Sequence, residues 1–200
     1  MTRLILTAIG LTLTLTATCG PARASEPRRP GTTQTPPEPA NAQPARATGP
    51  SRAITVAALD ALCGPGHRDL AGPVDAAARR YMLHPVTIVA LVKSESPRCD
   101  PNAVNPRTGA TGLTQILPTG SANPRHLSVE SLKDPATNLD LGARHLAGLL
   151  VLCGSLGGAV HVYHGHRTCG GWQRDEHAWK VLGYVARFWR EIARRGAPRS

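Results

Sequence analysis

From Ala53 onward, apolar side chains recur three and four residues apart, the spacing that lines one face of a helix. "ITVAALDAL" predicts a short helix, ended by "CGPGH". "GPVDAAARRYML" places Val74, Ala77, Ala78 and Tyr81 on one side. Pro85 then opens a helix, at the first position, where its missing N–H costs little. "DPATNLDLGARHLAGLLVL" begins on a strong signal, Asp134 as N-cap and Pro135 behind it, with Leu139, Leu146, Leu149 and Leu150 as its stripe. "SLGGAVHVYHGH" reads as a glycine-rich helix able to pack closely. The last helix, "EHAWKVLGYVARFWREIARR", sets Trp179, Leu182, Val185, Trp189 and Ile192 on one side and ends in basic residues that suit its dipole. No run alternates as a strand must. At most a small hairpin forms at "AVNPRTGATG", where Gly109 and Gly112 mark turns. The expected fold is all-α, or α-rich α+β at most.

The first quarter of the chain has another pattern. Arg3, the apolar "LILTAIGLTLTLTAT" and the small-residue site "ARA" at 22–24 read as an export signal over residues 1–24. The stretch is too short and threonine-rich for a membrane span. Lipidation at Cys19 is the alternative, although Thr16, Ala17 and Thr18 fit a lipoprotein signal poorly. Residues 25–52, rich in Pro, Ala, Thr and Arg and without apolar periodicity, predict a disordered tether. The folded domain is then 53–196, and its place is the periplasm or the exterior.

Composition adds two constraints. With 41% hydrophobic but only 4% aromatic residues, aliphatic side chains must build the core. A net charge of +10 suits a polyanionic partner, including an acidic cell wall. No nucleic-acid motif is present, so nucleic acid is not expected. Beyond the signal stand Cys63, Cys99, Cys153 and Cys169. Four cysteines in an exported chain imply two disulfides with three possible connectivities. The expected pairing is Cys63–Cys99 with Cys153–Cys169, tying the domain's start to the end of the Glu95 helix and bracketing the Tyr163 helix; a Cys99–Cys169 bridge is the competing arrangement.

The chemistry gathers at Glu95. Ile88, Leu91 and Val92 stand at i, i+3 and i+4 of their helix and Glu95 at i+7, so a carboxylate continues the apolar stripe. Partial desolvation there favours the neutral carboxyl, the form a general acid needs. An ordered set of blocks runs on from this residue: "ES" at 95–96, "DPNAV" at 100–104, "GATGLTQILPTGSA" at 109–122, "DPATNLDLGARHLAGLL", then "AVHVYHGH". This succession resembles the lysozyme-like lytic transglycosylases of the soluble-transglycosylase type over residues 70–190. The resemblance implies a lysozyme-like fold with Glu95 as catalytic acid/base. It implies Tyr163 as the tyrosine whose hydroxyl reaches that carboxylate. Ser96 would help hold the sugar's acetamido group, and Gln115 would line the groove. Thr114 stands where the family has Met, giving a shorter, more polar groove wall, and His164 replaces the Asn after the tyrosine.

The implied reaction cuts peptidoglycan between N-acetylmuramic acid and N-acetylglucosamine and leaves a 1,6-anhydro end, with one carboxyl acting as acid and then as base. Two readings compete. A hydrolytic lysozyme would add water with help from Asp100, Asp134, Asp140, Asp175 or Glu176. A non-catalytic wall-binding module would serve a secretion or conjugation apparatus. His161, His164 and His166 cluster, with His145 and His177 not far away, and His161 and His164 share a helix face suited to zinc. No Glu adjoins them in a metalloprotease pattern, so neither a metal nor a cofactor is expected.

Overall fold

The computed structural model describes residues 50–196; the expected export signal and nearly all of the expected tether lie outside the described residues. The helices are α1 (Pro50–Leu62), α2 (Ala71–Tyr81), α3 (Pro85–Glu95), α4 (Val129–Leu132), α5 (Pro135–Cys153), α6 (Leu156–Tyr163) and α7 (Glu176–Gly196). Short 3₁₀ turns over Pro65–Leu70 and Trp172–Arg174 join them. Helix α1 begins ahead of the domain start expected at Ala53. Among the described residues there is no extended strand. The anticipated hairpin is reduced to two isolated antiparallel bridges, Val104 with Thr111 and Thr111 with Ile116. None of the described helices is long and apolar enough to cross a membrane.

The helix starts obey their capping signals. Asp134 accepts the Thr137 N–H at 2.8 Å with Pro135 behind it, and Ser155 accepts the Gly158 N–H at 3.2 Å. Ser128 caps α4, a single turn that the apolar pattern was too short to reveal.

Helix α3 lies at the centre. Val86, Ile88, Val89, Ala90, Leu91 and Val92 are all buried, so its apolar surface is no narrow stripe. Helices α1 and α7 pack against it, while α5 bridges α2 and α6. The face of α7 differs from expectation by about one residue. Ala178, Val181 and Phe188 are buried, whereas Trp179 and Trp189 are 53% and 42% exposed. Small side chains allow the helix to approach its neighbours, and the tryptophans sit on its flanks. The Trp179 indole N–H donates to the Gln173 carbonyl at 2.8 Å, and Trp189 meets His84 edge-on at 5.3 Å.

The two bridges formed are Cys63–Cys99 and Cys153–Cys169, the expected pairing. The first fixes the chain just beyond Glu95. The second closes a loop around α6.

Candidate active site

Glu95 is the last residue of α3, and its carboxyl is 12% exposed. It opens onto two adjoining cavities. One, of about 580 Å³, is lined by Glu95, Ser96, Asp100, Asn105, Arg107 and Gln115. The other, of about 440 Å³, is lined by Glu95, Asn105, Gln115, Tyr163, His164 and His177. A third, of about 210 Å³, continues past Gln115 and Tyr163 to His145. Gln115 lines all three, so they form a groove with Glu95 along one stretch of its wall.

The carboxylate's partner is His177, from the first turn of α7. Its Nε2 lies 2.8 Å from Glu95 Oε1 and 3.2 Å from Ser94 Oγ. Glu95 Oε2 meets no hydrogen-bond partner among the described residues, which leaves it to the groove. His177 is held in turn: its backbone N–H donates to Asp175 Oδ1 at 2.9 Å, and its ring stacks on His164 at 3.9 Å. Asp175 Oδ2 lies 2.6 Å from His161 Nδ1. Burial works against an ionised Asp175, but the bonds from His161 and from the His177 and Ala178 N–H groups outweigh it and hold the carboxyl below the usual range. Sequence reading had His177 only as an outlying histidine. Nothing local to "DEHAW" shows that α7 returns it to the end of α3.

Tyr163 reaches the groove, but its hydroxyl does not bond Glu95. It donates to the Thr114 carbonyl at 2.8 Å. The phenol's one proton goes to that carbonyl, and the hydrogen bond to the Glu95 carboxyl is made by His177. Burial pushes the Tyr163 phenol far up, and the nearby Glu95 charge adds to this, so the hydroxyl stays protonated.

Thr114 does not form the groove wall. Its side chain is fully buried, with Oγ donating to Asn138 Oδ1 at 2.8 Å. The expected contact of Thr114 with substrate is therefore corrected: only its carbonyl matters here, as the acceptor for Tyr163. Asn138, in the α5 motif, is the residue that sequence reading passed over. Buried completely, it accepts the Thr114 N–H at 2.8 Å and donates to the carbonyls of Thr111 and Leu132 at 2.9 and 2.8 Å. One amide thus pins the 111–116 loop to α5. Two glycines permit the approach. A Cβ at Gly112 (φ +82°) would meet Leu132 O at 2.6 Å, and one at Gly142 would meet Thr114 Cβ at 2.6 Å.

Gln115 takes a left-handed backbone (φ +50°), and its Nε2 donates to the Gly112 carbonyl at 2.9 Å, which aims the amide along the groove. Ser96 is 2% exposed, and its Oγ accepts the Asp100 N–H at 3.0 Å. That bond closes the turn after Glu95, so the structure gives Ser96 a turn-holding part. His164 caps α6 at the rim; burial lowers its basicity, and neighbouring His177 lowers it further.

Of the aspartates weighed as a second carboxylate, Asp134 caps α5, and Asp140 pairs with Arg80 at 2.7 Å while accepting the Tyr81 hydroxyl. Glu176 is exposed beside Lys180. Asp100 alone of these lines the larger cavity with Glu95, one of its oxygens accepting the Asn102 N–H at 2.8 Å.

A family model described as the transglycosylase SLT domain matches residues 72–180, a span that runs from α2 into α7 and holds every groove residue named above. No curated protein matches the chain.

Proposed function

Since the chain belongs to the transglycosylase SLT domain family, whose activity is of the lytic-transglycosylase type on peptidoglycan, we propose that it cuts glycan strands of the wall with Glu95 as sole acid and base. The supporting observation is one carboxyl held at a groove by a single histidine, with one oxygen left for substrate. In the proposed reaction, protonated Glu95 gives its proton to the glycosidic oxygen between N-acetylmuramic acid and N-acetylglucosamine. The C1–O bond breaks, and the substrate's own acetamido oxygen stabilises the cationic sugar centre. Glu95, now a carboxylate, takes the proton of the muramoyl C6 hydroxyl as O6 closes on C1. The products are a 1,6-anhydro end and a free 4-hydroxyl; water is neither consumed nor released. The acid is returned in the form it started.

His177 suits both halves of this cycle, because a neutral imidazole nitrogen either accepts from a carboxyl or, as its other tautomer, donates to a carboxylate. Gln115 lies where three cavities meet and is placed to bind sugar hydroxyls or amides. Arg98 and Arg107 line the larger cavity and match the carboxylates of peptide stems. The +10 charge and two disulfides fit work against an anionic wall outside the cytoplasm.

Asp100 supports a second reading. Retaining and inverting glycosidases use two carboxyls flanking the bond, and Asp100 shares the larger cavity with Glu95. Digestion of purified peptidoglycan, with the products weighed by mass spectrometry, separates the two. Anhydro ends, one water lighter, are expected; reducing ends alone would establish hydrolysis. Glu95→Gln should lower digestion by about 10²–10⁴-fold with little thermal change, the scale of a lost general acid. Near-normal turnover by that variant, or wall binding without any product from the native chain, would refute the assignment.

A further inference from the structure

Two groups of metal-ligating side chains lie beside each other, the first of them lining this groove. Glu95, His164 and His177 bring one donor atom each within 4.8 Å of one another, and so do His161, His166 and Asp175. Asp175 links them, since it also accepts the His177 backbone N–H. We propose that Glu95, His164 and His177 bind a borderline-soft divalent cation, with zinc the fitting ion, and that this binding switches the groove off.

The donor set is one carboxylate and two imidazoles, which suits zinc far better than calcium or magnesium. Ligand bonds of about 2.0–2.2 Å in a tetrahedron put donor atoms roughly 3.3 Å apart. Glu95 Oε1 and His177 Nε2 already stand 2.8 Å apart, so the cation takes the place of the hydrogen that lies between them and opens the pair by a fraction of an ångström. In a neutral His177 that hydrogen moves to Nδ1, which frees Nε2 to ligate. His164 must turn, because it lies within 15° of parallel to His177 and stacked rings aim their lone pairs alongside rather than towards a common point. It is exposed, caps α6 with its backbone, and has no side-chain hydrogen bond among the described residues, so its ring is the one able to swing. All three side chains line the 440 Å³ cavity, which leaves room for water as a fourth ligand.

The neighbouring group is the weaker candidate. His161 is buried and already 2.6 Å from Asp175 Oδ2, while His166 Nε2 stands 3.9 Å from the same oxygen in a tight stack on His161. Seating an ion there requires breaking a buried hydrogen bond that holds the segment bearing His177.

Metal binding stands on the geometry alone; inhibition rests also on the proposed function, because ligation ties up the carboxyl that must carry the proton. The test uses the oxidised chain, stripped with EDTA and freed of chelator. Zinc is titrated calorimetrically and cobalt by visible absorption. One ion per chain and a tetrahedral cobalt spectrum are expected. Glu95→Gln, His164→Ala and His177→Phe should each weaken binding at least roughly tenfold, no less than the loss of an outer-shell partner does, while His166→Ala leaves it within twofold. Zinc should also suppress peptidoglycan digestion, and EDTA should restore it. No saturable uptake, or uptake abolished by His166→Ala and kept in His164→Ala, would overturn the site. Undiminished digestion at saturating zinc would overturn the inhibition. A chain that binds zinc as expected yet digests no wall in chelator supports the site and counts only against the activity.

Discussion

Removal of the His177 imidazole tests how the candidate acid is held. His177→Phe keeps an aromatic ring to stack on His164 and leaves the backbone N–H to Asp175 in place. It deletes the 2.8 Å bond to Glu95 Oε1 and the longer 3.2 Å contact of the same nitrogen with Ser94 Oγ. A hydrogen bond to a charged partner contributes about 1.5–3 kcal/mol. If that interaction holds the carboxyl in its reactive orientation, its loss slows turnover by about 10- to 150-fold, at one decade per 1.36 kcal/mol. The groove floor and Gln115 are untouched, so KM should stay within about twofold and the change fall on kcat. His177→Gln supplies a shorter-reaching amide that can still donate or accept, and it should recover part of the rate. The assay is release of soluble muropeptides from purified sacculi, in EDTA to keep cations away, with thermal unfolding in parallel. Full activity of the Phe variant would refute the positioning role. A rate loss matched by a large drop in Tm and not relieved by Gln would show that His177 serves the fold instead.

The same geometry sets three further outcomes. Gly142→Ala should destabilise the domain by about 1–3 kcal/mol, since the new Cβ meets Thr114 Cβ at 2.6 Å and Cγ2 at 2.8 Å; adding Thr114→Gly, which removes those atoms, should recover part of the loss in denaturant melts. Cys63 and Cys99 are 36 residues apart and Cys153 and Cys169 are 16, so replacing each pair by serine should cost about 4 and about 3 kcal/mol, and non-reducing peptide maps should show only these two linkages. Burial of His145, with a smaller push from Arg144, lowers its basicity in the folded state; the unfolded chain therefore takes up the proton more readily, stability falls as pH drops below about 6.5, and His145→Gln should flatten that part of a Tm-against-pH curve, with an unchanged slope counting against it.

Helices α3, α5 and α6 were legible because each carries its own start signal and period. Pro85, Asp134 and Ser155 act within one turn, and the structure places α3, α5 and α6 where those residues put them. Glu95 was legible for the same reason, at i+7 of a run of buried positions. Contacts made across the chain were not legible. His177 meets Glu95 over 82 residues of sequence, Tyr163 meets Thr114 over 49, and Asn138 meets Thr114 over 24. A local pattern carries no distance between segments, so Tyr163 was given the partner that its family resemblance implied. The α7 face was misjudged on different grounds. Counting by hydrophobic bulk favoured Trp179 and Trp189, but at a close helix crossing Ala178 and Val181 are the side chains that fit.

The two departures from the family pattern bear on whether this site is degenerate. Read as letters, Thr114 for Met and His164 for Asn weaken the case for an enzyme. Each nevertheless has a partner that makes physical sense of it. Thr114 is buried, where a hydroxyl without an acceptor would be costly; Asn138 Oδ1 supplies that acceptor, and Gly142 leaves room for the branched side chain. Methionine would lack the hydroxyl and be too long for that space. His164 lies flat on His177, the residue that holds Glu95. A decayed site loses its supports along with its letters, because nothing selects the second residue of a pair once the first has ceased to matter. Here Thr114 sits inside a satisfied network that ends on the Tyr163 hydroxyl, and His164 stacks on the residue that bonds the Glu95 carboxyl. That coupling weighs for a working site rebuilt around its acid and against a wall-binding remnant. It also fixes where failure should appear: Asn138→Leu, which takes the side-chain amide from the Thr114 N–H and from the Thr111 and Leu132 carbonyls and leaves the Thr114 hydroxyl only the backbone carbonyl of residue 138, should cost stability and wall digestion together, whereas in a remnant only the stability would fall.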